Sequence, residues 1–186
     1  MEATESIKII EKMLDESRQS LSKYSFHFIL WAVLLIPCGI IEWYFVDEPK
    51  RFLVWMIAGI TGGIIASIYG GKQSKQQKVQ SLASRMHGFI WGGFGICMIV
   101  SIFYSIKLNV PPHTLVLLLA GAATFSTGGL AKFQPFILGG IFLMICSLLC
   151  GFLVPPGYQG LVFAAGLSGG YLVPGLMLRK IENGQA

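Results

Sequence analysis

Charged residues are scarce in this chain, and most of them lie in short clusters between long apolar stretches. Only 12% of the 186 residues are charged, about half the share that is usual in a soluble domain. The pattern predicts an all-α membrane protein that forms one compact bundle. Because membrane topology accounts for the position of the basic residues, the net charge of +5 does not indicate a nucleic-acid partner, and we expect none.

Residue groups that carry out catalysis inside a membrane are also missing. The chain has no His-Glu-x-x-His sequence, no phosphate-binding loop and no paired acids in its apolar runs. Glu42 is the one acid within such a run, and it lies about one helical turn from the run's end. We interpret it as an interfacial residue, since proton-coupled transport normally uses acids or histidine chains deeper in the membrane. The prediction is a non-enzymatic protein with no catalytic residue and no cofactor.

The four cysteines do not form a disulfide or metal-binding pattern. They all lie in apolar runs, where small apolar packing is the usual role of a cysteine. Cys146 and Cys150 are one helical turn apart, but no histidine or acid lies near them in sequence. A metal site normally needs about three or four ligands. We therefore predict no metal site.

Six apolar runs are each close to the ~20 residues that a helix needs to cross the hydrocarbon layer. They lie at about 26–46, 52–69, 86–106, 113–131, 133–154 and 158–178. Residues 1–25 are predicted to form a cytoplasmic amphipathic helix, and residues 179–186 a cytoplasmic tail. Most connections are short, which predicts that consecutive helices are antiparallel neighbours.

Lysine and arginine fall unevenly on the two sides of the predicted membrane domain. One side holds 11 of the 14 basic residues and the other holds Lys50, Arg51 and Lys107. Basic residues accumulate on the cytoplasmic side of membrane proteins. We therefore expect a multi-pass protein of the lipid bilayer with both termini in the cytoplasm.

The amino-terminal segment carries an apolar stripe at helical spacing, formed by Ile7, Ile10, Leu14 and Leu21. Acids outnumber bases on its other faces, which favours contact with protein over contact with a membrane surface. The stripe could pack on the protein's own loops, on a second copy or on a cytoplasmic partner. Our leading hypothesis is an interaction or regulatory module that forms a homo-oligomer or binds a cytoplasmic protein through residues 4–22.

A glycine-rich hexapeptide occurs twice, at 58–63 and 165–170, with a shorter echo at 127–129. The small residues concerned are Gly59, Thr61, Gly62, Gly63, Thr127, Gly128, Gly129, Ser168, Gly169 and Gly170. Small residues at four-residue spacing allow close helix packing, and their recurrence suggests three similar helical hairpins. Pro174 removes the amide that would bond the Gly170 carbonyl, which predicts a flexible or broken segment there. The alternative function is therefore a channel or transporter for a neutral or weakly polar solute along these helices.

A small polar site is predicted at the cytoplasmic boundary. His27 and His87 begin two of the apolar runs, and Lys132 and Gln134 lie in a turn on the same side. Together they could contact anionic lipid headgroups, which makes a lipid-binding membrane protein the second alternative. Ordinary interfacial roles for these side chains explain the pattern equally well.

The stretches 5–13 and 25–31 resemble a group of small, uncharacterised multi-pass membrane proteins common in Bacteroidetes. Those proteins begin with a short cytoplasmic helix that leads into an aromatic first span. The resemblance covers about the first 45 residues and implies a bacterial inner-membrane location. It supplies no functional residues.

Overall fold

A computed structural model describes residues 25–48, 50, 53–76 and 82–184. These residues form helices and no strands, which confirms the all-α class. The helices are α1 Ser25–Tyr44, α2 Leu53–Gln76, α3 Leu82–Leu108, α4 His113–Ala131, α5 Gln134–Phe152, α6 Gln159–Leu167 and α7 Val173–Gly184, with a π-helical turn at Ser168–Leu172 between α6 and α7. The predicted amino-terminal amphipathic helix lies outside the described residues.

Six of these helical segments are long and apolar enough to cross a membrane. The shortest has 19 residues, which at 1.5 Å per residue gives about 29 Å, close to the hydrocarbon thickness of a bilayer. The sixth segment runs through Pro156–Ile181 and combines α6, the π turn and most of α7. The architecture is consistent with a multi-pass transmembrane protein. We name the two ends of the bundle after residues that lie there, the Glu42 end and the His87 end.

Helices α4 and α5 form the tightest pair, because glycines remove the side chains between their backbones. A Cβ atom added to Gly140 would lie 2.6 Å from the Phe125 nitrogen, and one added to Gly121 would lie 2.8 Å from the Gly140 carbonyl oxygen. Gly128 continues this contact toward the His87 end, where it meets the backbone of Ile137. Lipid offers no hydrophobic drive between helices, so such close contact is what holds them together.

The sixth segment packs against both α1 and α5, again at glycines. A Cβ at Gly39 of α1 would collide with the Gly160 carbonyl oxygen of α6. Gly175 of α7 faces Ile29 of α1 in the same way. The segments α1, α4, α5 and α6–α7 therefore make a central bundle. Its core contains Phe28, Leu117, Phe136, Leu143, Leu167 and Tyr171, each of which is at most 4% exposed.

Helices α2 and α3 lie at the periphery of this bundle. Helix α2 packs mainly on α1, where Gly62 meets the Trp31 ring, and α3 packs mainly on α4. Only 11% of each candidate span is buried. The two helices barely contact each other, so the expectation that all consecutive helices are neighbours is wrong for this pair.

The sixth segment passes through a single π-helical turn. Its final amide, at Val173, donates to the Ser168 carbonyl five residues earlier. Pro174 explains the turn, because it has no N–H to donate to the Gly170 carbonyl. The predicted flexible or broken segment is instead a helix that continues with wider spacing.

Candidate functional site

A buried acid and a buried histidine meet at the Glu42 end of the bundle. Glu42 is 5% exposed and His113 is 3% exposed. The Nε2 atom of His113 lies 2.9 Å from Glu42 Oε2. The indole N–H of Trp55 donates to the same oxygen at 2.8 Å. Four helices supply the site. Glu42 lies near the end of α1, Trp55 near the start of α2 and His113 at the start of α4, and the Phe163 ring of α6 packs on Trp55 and His113. We call these four residues the Glu42 cluster.

Glycines make room for the carboxylate between α1 and α6. A Cβ at Gly160 would lie 2.7 Å from the Gly39 carbonyl oxygen and 3.3 Å from Glu42 Oε2. Any larger residue at Gly160 would therefore push α6 away from α1 beside the carboxylate. The close contact between Gly39 and Gly160 therefore positions Glu42 as well as joining α1 to α6.

Aromatic rings enclose the polar atoms of the Glu42 cluster. The Phe163 ring centre lies 5.0 Å from that of Trp55 and 5.5 Å from that of His113, both edge to face. Trp55 and His113 make a third such contact at 5.4 Å. An apolar enclosure strengthens hydrogen bonds to a charge and makes an unpartnered polar atom costly. Among the described residues, His113 Nδ1 is buried and has no hydrogen-bond partner.

The interpretation of Glu42 as an interfacial residue is wrong, since its carboxyl group is buried in a four-span contact. Sequence reasoning treated Glu42 and His113 separately, each as a residue near a helix end. One signal was available: Glu42, Trp55 and His113 are all predicted near the same membrane face. A carboxylate, an indole N–H and an imidazole at one depth can satisfy one another.

A second polar contact lies toward the His87 end and involves α4. The Trp91 indole N–H of α3 donates to Thr127 Oγ1 at 3.1 Å, while Thr127 donates to the Ala123 carbonyl at 2.8 Å. Tyr171 hydrogen-bonds Thr124, one turn earlier. Trp91 also meets the rings of Phe28 and Tyr171. These contacts attach α3 to the central bundle, and their members are neutral.

Of the four residues in the predicted cytoplasmic-side site, His27 and His87 lie near each other. His27 stands edge-on to Tyr69 at 5.7 Å, and His87 lies 6.0 Å from Trp91, measured between ring centres. The two histidines are near enough to interact electrostatically. Lys132 caps α4 in a left-handed conformation and, like Gln134, is exposed at the turn between α4 and α5.

The predicted glycine segments divide into packed and open positions. Gly62 meets Trp31, Gly128 meets the Ile137 backbone, Gly169 meets the Phe142 ring and Gly170 meets Leu143, while a Cβ at Gly59, Gly63 or Gly129 would meet nothing within 4 Å. Thr61 is exposed, whereas Thr127 and Pro174 are buried. The Gly170 carbonyl oxygen lies 2.8 Å from the position of a Gly139 Cβ. It therefore faces Gly139 of α5.

The residues at 166–170 also match the Gly-x-Ser-x-Gly pattern of hydrolase nucleophiles, although their structural context differs. The pattern signifies a nucleophile when the serine stands on a sharp turn between a strand and a helix. Ser168 lies in the π turn of a continuous helix, and its hydroxyl donates to the Ala164 carbonyl at 2.8 Å. The match therefore gives no support for hydrolysis.

The described residues contain no group of three or more histidine, cysteine or acidic side chains that could hold a metal ion. Cys38, Cys146 and Cys150 are buried free thiols, and Cys97 on α3 is exposed. Comparison with protein-family models, with curated proteins and with solved structures finds no match. The contacts described above are therefore the basis for a functional proposal.

Proposed function

We propose that this is a non-enzymatic, multi-pass protein of the bacterial inner membrane that works as an interaction module and self-associates within the bilayer. In this proposal the Glu42 end is periplasmic and both termini are cytoplasmic, an orientation that the uneven distribution of basic residues supports. The amino-terminal segment, with its apolar stripe, would supply a cytoplasmic contact in addition. One observation carries the proposal: α2 and α3 present small-residue faces on which none of the residues that the structure describes is packed.

The open face of α2 runs along Gly59 and Gly63, where an added Cβ would meet no atom within 4 Å. Gly88 and Gly92 on α3 are open in the same way. Large apolar side chains such as Ile60 and Ile64, 62% and 56% exposed, flank the α2 glycines. A glycine pair spaced by four residues and bordered by branched side chains is the surface on which membrane helices associate.

The packed glycines of the same chain show what such a face does when it is occupied. Gly140 and Gly121 bring α4 and α5 into backbone contact, whereas a Cβ at Gly59 or Gly63 would meet no atom of the described residues within 4 Å. Glycine costs about 1 kcal/mol relative to alanine inside a helix. That cost is offset only where another backbone comes close, and a second copy of the chain offers a matching face.

Energy transfer between two fluorescently tagged copies in native membranes tests this proposal. Gly63→Leu fills the open face, and its Cβ would meet no described atom within 4 Å, so energy transfer should fall while the protein still inserts and purifies normally. Ile64→Leu is the matched control, because it changes an exposed side chain on the same turn and leaves the glycine face open. A wild-type signal no higher than that of an unrelated membrane protein would refute self-association.

The cytoplasmic contact needs a separate experiment. Removing residues 1–22 should weaken self-association or the capture of a cytoplasmic partner, because the stripe of Ile7, Ile10, Leu14 and Leu21 is lost. Replacing those four residues with serine in the full-length chain is the control for a general effect of truncation. Unchanged association in both variants would restrict the interaction function to the membrane helices.

A second candidate function is transport of a small, weakly polar solute. The π turn favours it, because single π turns often occur at functional positions in helices. Pro174→Ala would restore the missing amide and favour a regular α-helix. We expect this change to abolish solute-driven swelling of proteoliposomes if the function is transport, and to leave self-association intact. Swelling no faster than that of protein-free liposomes, for the wild-type chain and a panel of neutral solutes, would exclude this candidate.

A further inference from the structure

We propose that Glu42 and His113 form a proton-binding site, in which the proton is taken up at His113 Nδ1. The proposal does not depend on self-association or on transport. Its basis is geometric, since two side chains that can each carry a proton are buried against one another beside the rings of Trp55 and Phe163. A proton is the ligand that such a pair can bind without an added cavity.

The hydrogen bonds determine which atom is available. Glu42 Oε2 already accepts the Trp55 N–H at 2.8 Å and lies 2.9 Å from His113 Nε2. With the carboxylate ionised, Nε2 must carry a hydrogen and donate it. The remaining ring nitrogen, Nδ1, then holds a lone pair, and it has no hydrogen-bond partner among the residues that the structure describes.

Uptake at Nδ1 requires no other bond to break. A proton from water adds to the Nδ1 lone pair, Nε2–H continues to donate to Glu42, and the pair becomes carboxylate and imidazolium. The two opposite charges are then adjacent and hydrogen-bonded, which is the arrangement that makes a buried charge tolerable. Without the carboxylate, an imidazolium enclosed by Trp55 and Phe163 would lack a compensating charge.

No other charged side chain in the described part of the chain is in the cluster. On α1, Cys38 lies one turn before Glu42, and its thiol donates to the Leu34 carbonyl at 3.2 Å. Helix α2 contributes Trp55 and α6 contributes Phe163 and Gly160, none of which ionises in the relevant range. The acids Asp47 and Glu48 and the base Lys50 belong to the adjacent connection and are exposed. Glu42 is therefore the ionisable side chain that His113 contacts within the cluster.

Nitrogen NMR of the chain labelled with [15N]histidine in lipid nanodiscs measures this directly. The chain has three histidines, and a His113→Gln variant identifies the His113 signals. During a pH titration, His113 Nδ1 should change from unprotonated to protonated while Nε2 remains protonated. In Glu42→Gln the pH at which Nδ1 changes state should differ from that of the wild-type chain, because the neighbouring carboxylate is gone.

Two controls keep the outcome decisive. Glu48→Gln removes an exposed acid near the same end and should leave the His113 midpoint unchanged. If Glu42→Gln does not fold, the wild-type titration still decides, since the proposal requires Nδ1 to change state. A His113 Nδ1 signal that stays constant, or an identical midpoint in a folded Glu42→Gln protein, would overturn it.

Discussion

Replacing Gly140 with alanine should destabilise the protein more than replacing any glycine of the open faces. A methyl group at Gly140 would lie 2.6 Å from the Phe125 nitrogen, 2.7 Å from the Gly121 carbonyl oxygen and 2.8 Å from the Phe125 Cα. All three are backbone atoms of α4, so no side chain can rotate away. The two helices must separate or bend instead.

The size of the effect follows from these distances. Restoring an ordinary contact of about 3.5 Å requires a shift of about 1 Å, which forfeits roughly a quarter to a half of the dispersion attraction along the seam. Forced overpacking costs about 1–3 kcal/mol. Alanine's better helix propensity returns up to about 1 kcal/mol. The free energy of unfolding should therefore fall by about 1–2 kcal/mol in Gly140→Ala.

Gly63→Ala provides the matched comparison, because the same methyl group would meet nothing within 4 Å. Its free energy of unfolding should stay equal to that of the wild-type monomer or rise by up to about 1 kcal/mol. Both variants can be measured by titration with sodium dodecyl sulfate in mixed micelles, with helix content followed by circular dichroism. A Gly140→Ala protein as stable as Gly63→Ala would refute the assignment of α4 and α5 as the tight pair.

Three further predictions concern single side chains. Trp91→Phe should lower the free energy of unfolding by about 0.6–1.7 kcal/mol, because it removes the hydrogen bond to Thr127 and keeps most of the ring packing. Gln159→Leu should lower the free energy of unfolding by about 1–3 kcal/mol in the same assay, since the side-chain amide of Gln159 donates to the Cys150 carbonyl at 2.9 Å. A variant as stable as the wild-type chain would contradict the hydrogen bond assigned to that residue. Cys97 lies midway along the candidate span of α3 and is exposed, so in a bilayer its thiol would face lipid, where the thiolate that attacks maleimide is disfavoured. N-ethylmaleimide should therefore modify Cys97 no faster than the buried Cys146, and fast labelling of Cys97 seen by mass spectrometry would contradict a transmembrane α3.

The general architecture could be predicted from the sequence because lipid imposes simple rules. A helix must satisfy its own backbone and must be long enough to cross, so six apolar runs imply six helices. The runs at 113–131 and 133–154 correspond closely to α4 and α5. The effect of Pro174 could be anticipated in part, since the missing amide is a local property. Its outcome, a π turn, depends on how Gly139 and Leu143 pack against Gly170.

Which glycines are packed could not be predicted from spacing. Gly59 and Gly63 have the pattern of a packing seam, and so does the pair Gly166 and Gly170, but only the second pair meets other side chains. The pattern says that a helix can be approached closely and does not say what approaches it. What approaches a glycine face depends on how all the helices pack, which no local pattern gives. Helices α2 and α3 lie outside the central bundle, so their glycine faces stay open.

The Glu42 cluster likewise could not be predicted from local sequence patterns. Glu42, Trp55 and His113 are far apart in sequence, and each alone has an ordinary interfacial explanation. Their meeting depends on the contact between Gly39 and Gly160, which brings α6 against α1 and closes the space around the carboxylate. A local rule can give the depth of a residue in the membrane, whereas burial at that depth is decided by neighbouring helices.

The two peripheral helices are each attached by a tryptophan N–H, but the two acceptors differ. Trp91 of α3 bonds a threonine hydroxyl, which is neutral at every accessible pH. Trp55 of α2 bonds the Glu42 carboxylate, which His113 also contacts. The attachment of α2 at the Glu42 end would therefore respond to the proposed protonation of His113, and α2 also carries the open face at Gly59 and Gly63.

If both proposals hold, self-association through α2 should vary with pH in the range where His113 Nδ1 titrates. Energy transfer between tagged copies in nanodiscs large enough for two chains measures it. Glu42→Gln should shift or abolish this dependence, because its amide holds Trp55 with the same strength at every pH. The Trp91→Phe protein is the control, since its α2 attachment is intact and its pH dependence should equal that of the wild type. If the pH dependence of energy transfer is unchanged in Glu42→Gln, the proton site does not control association through α2.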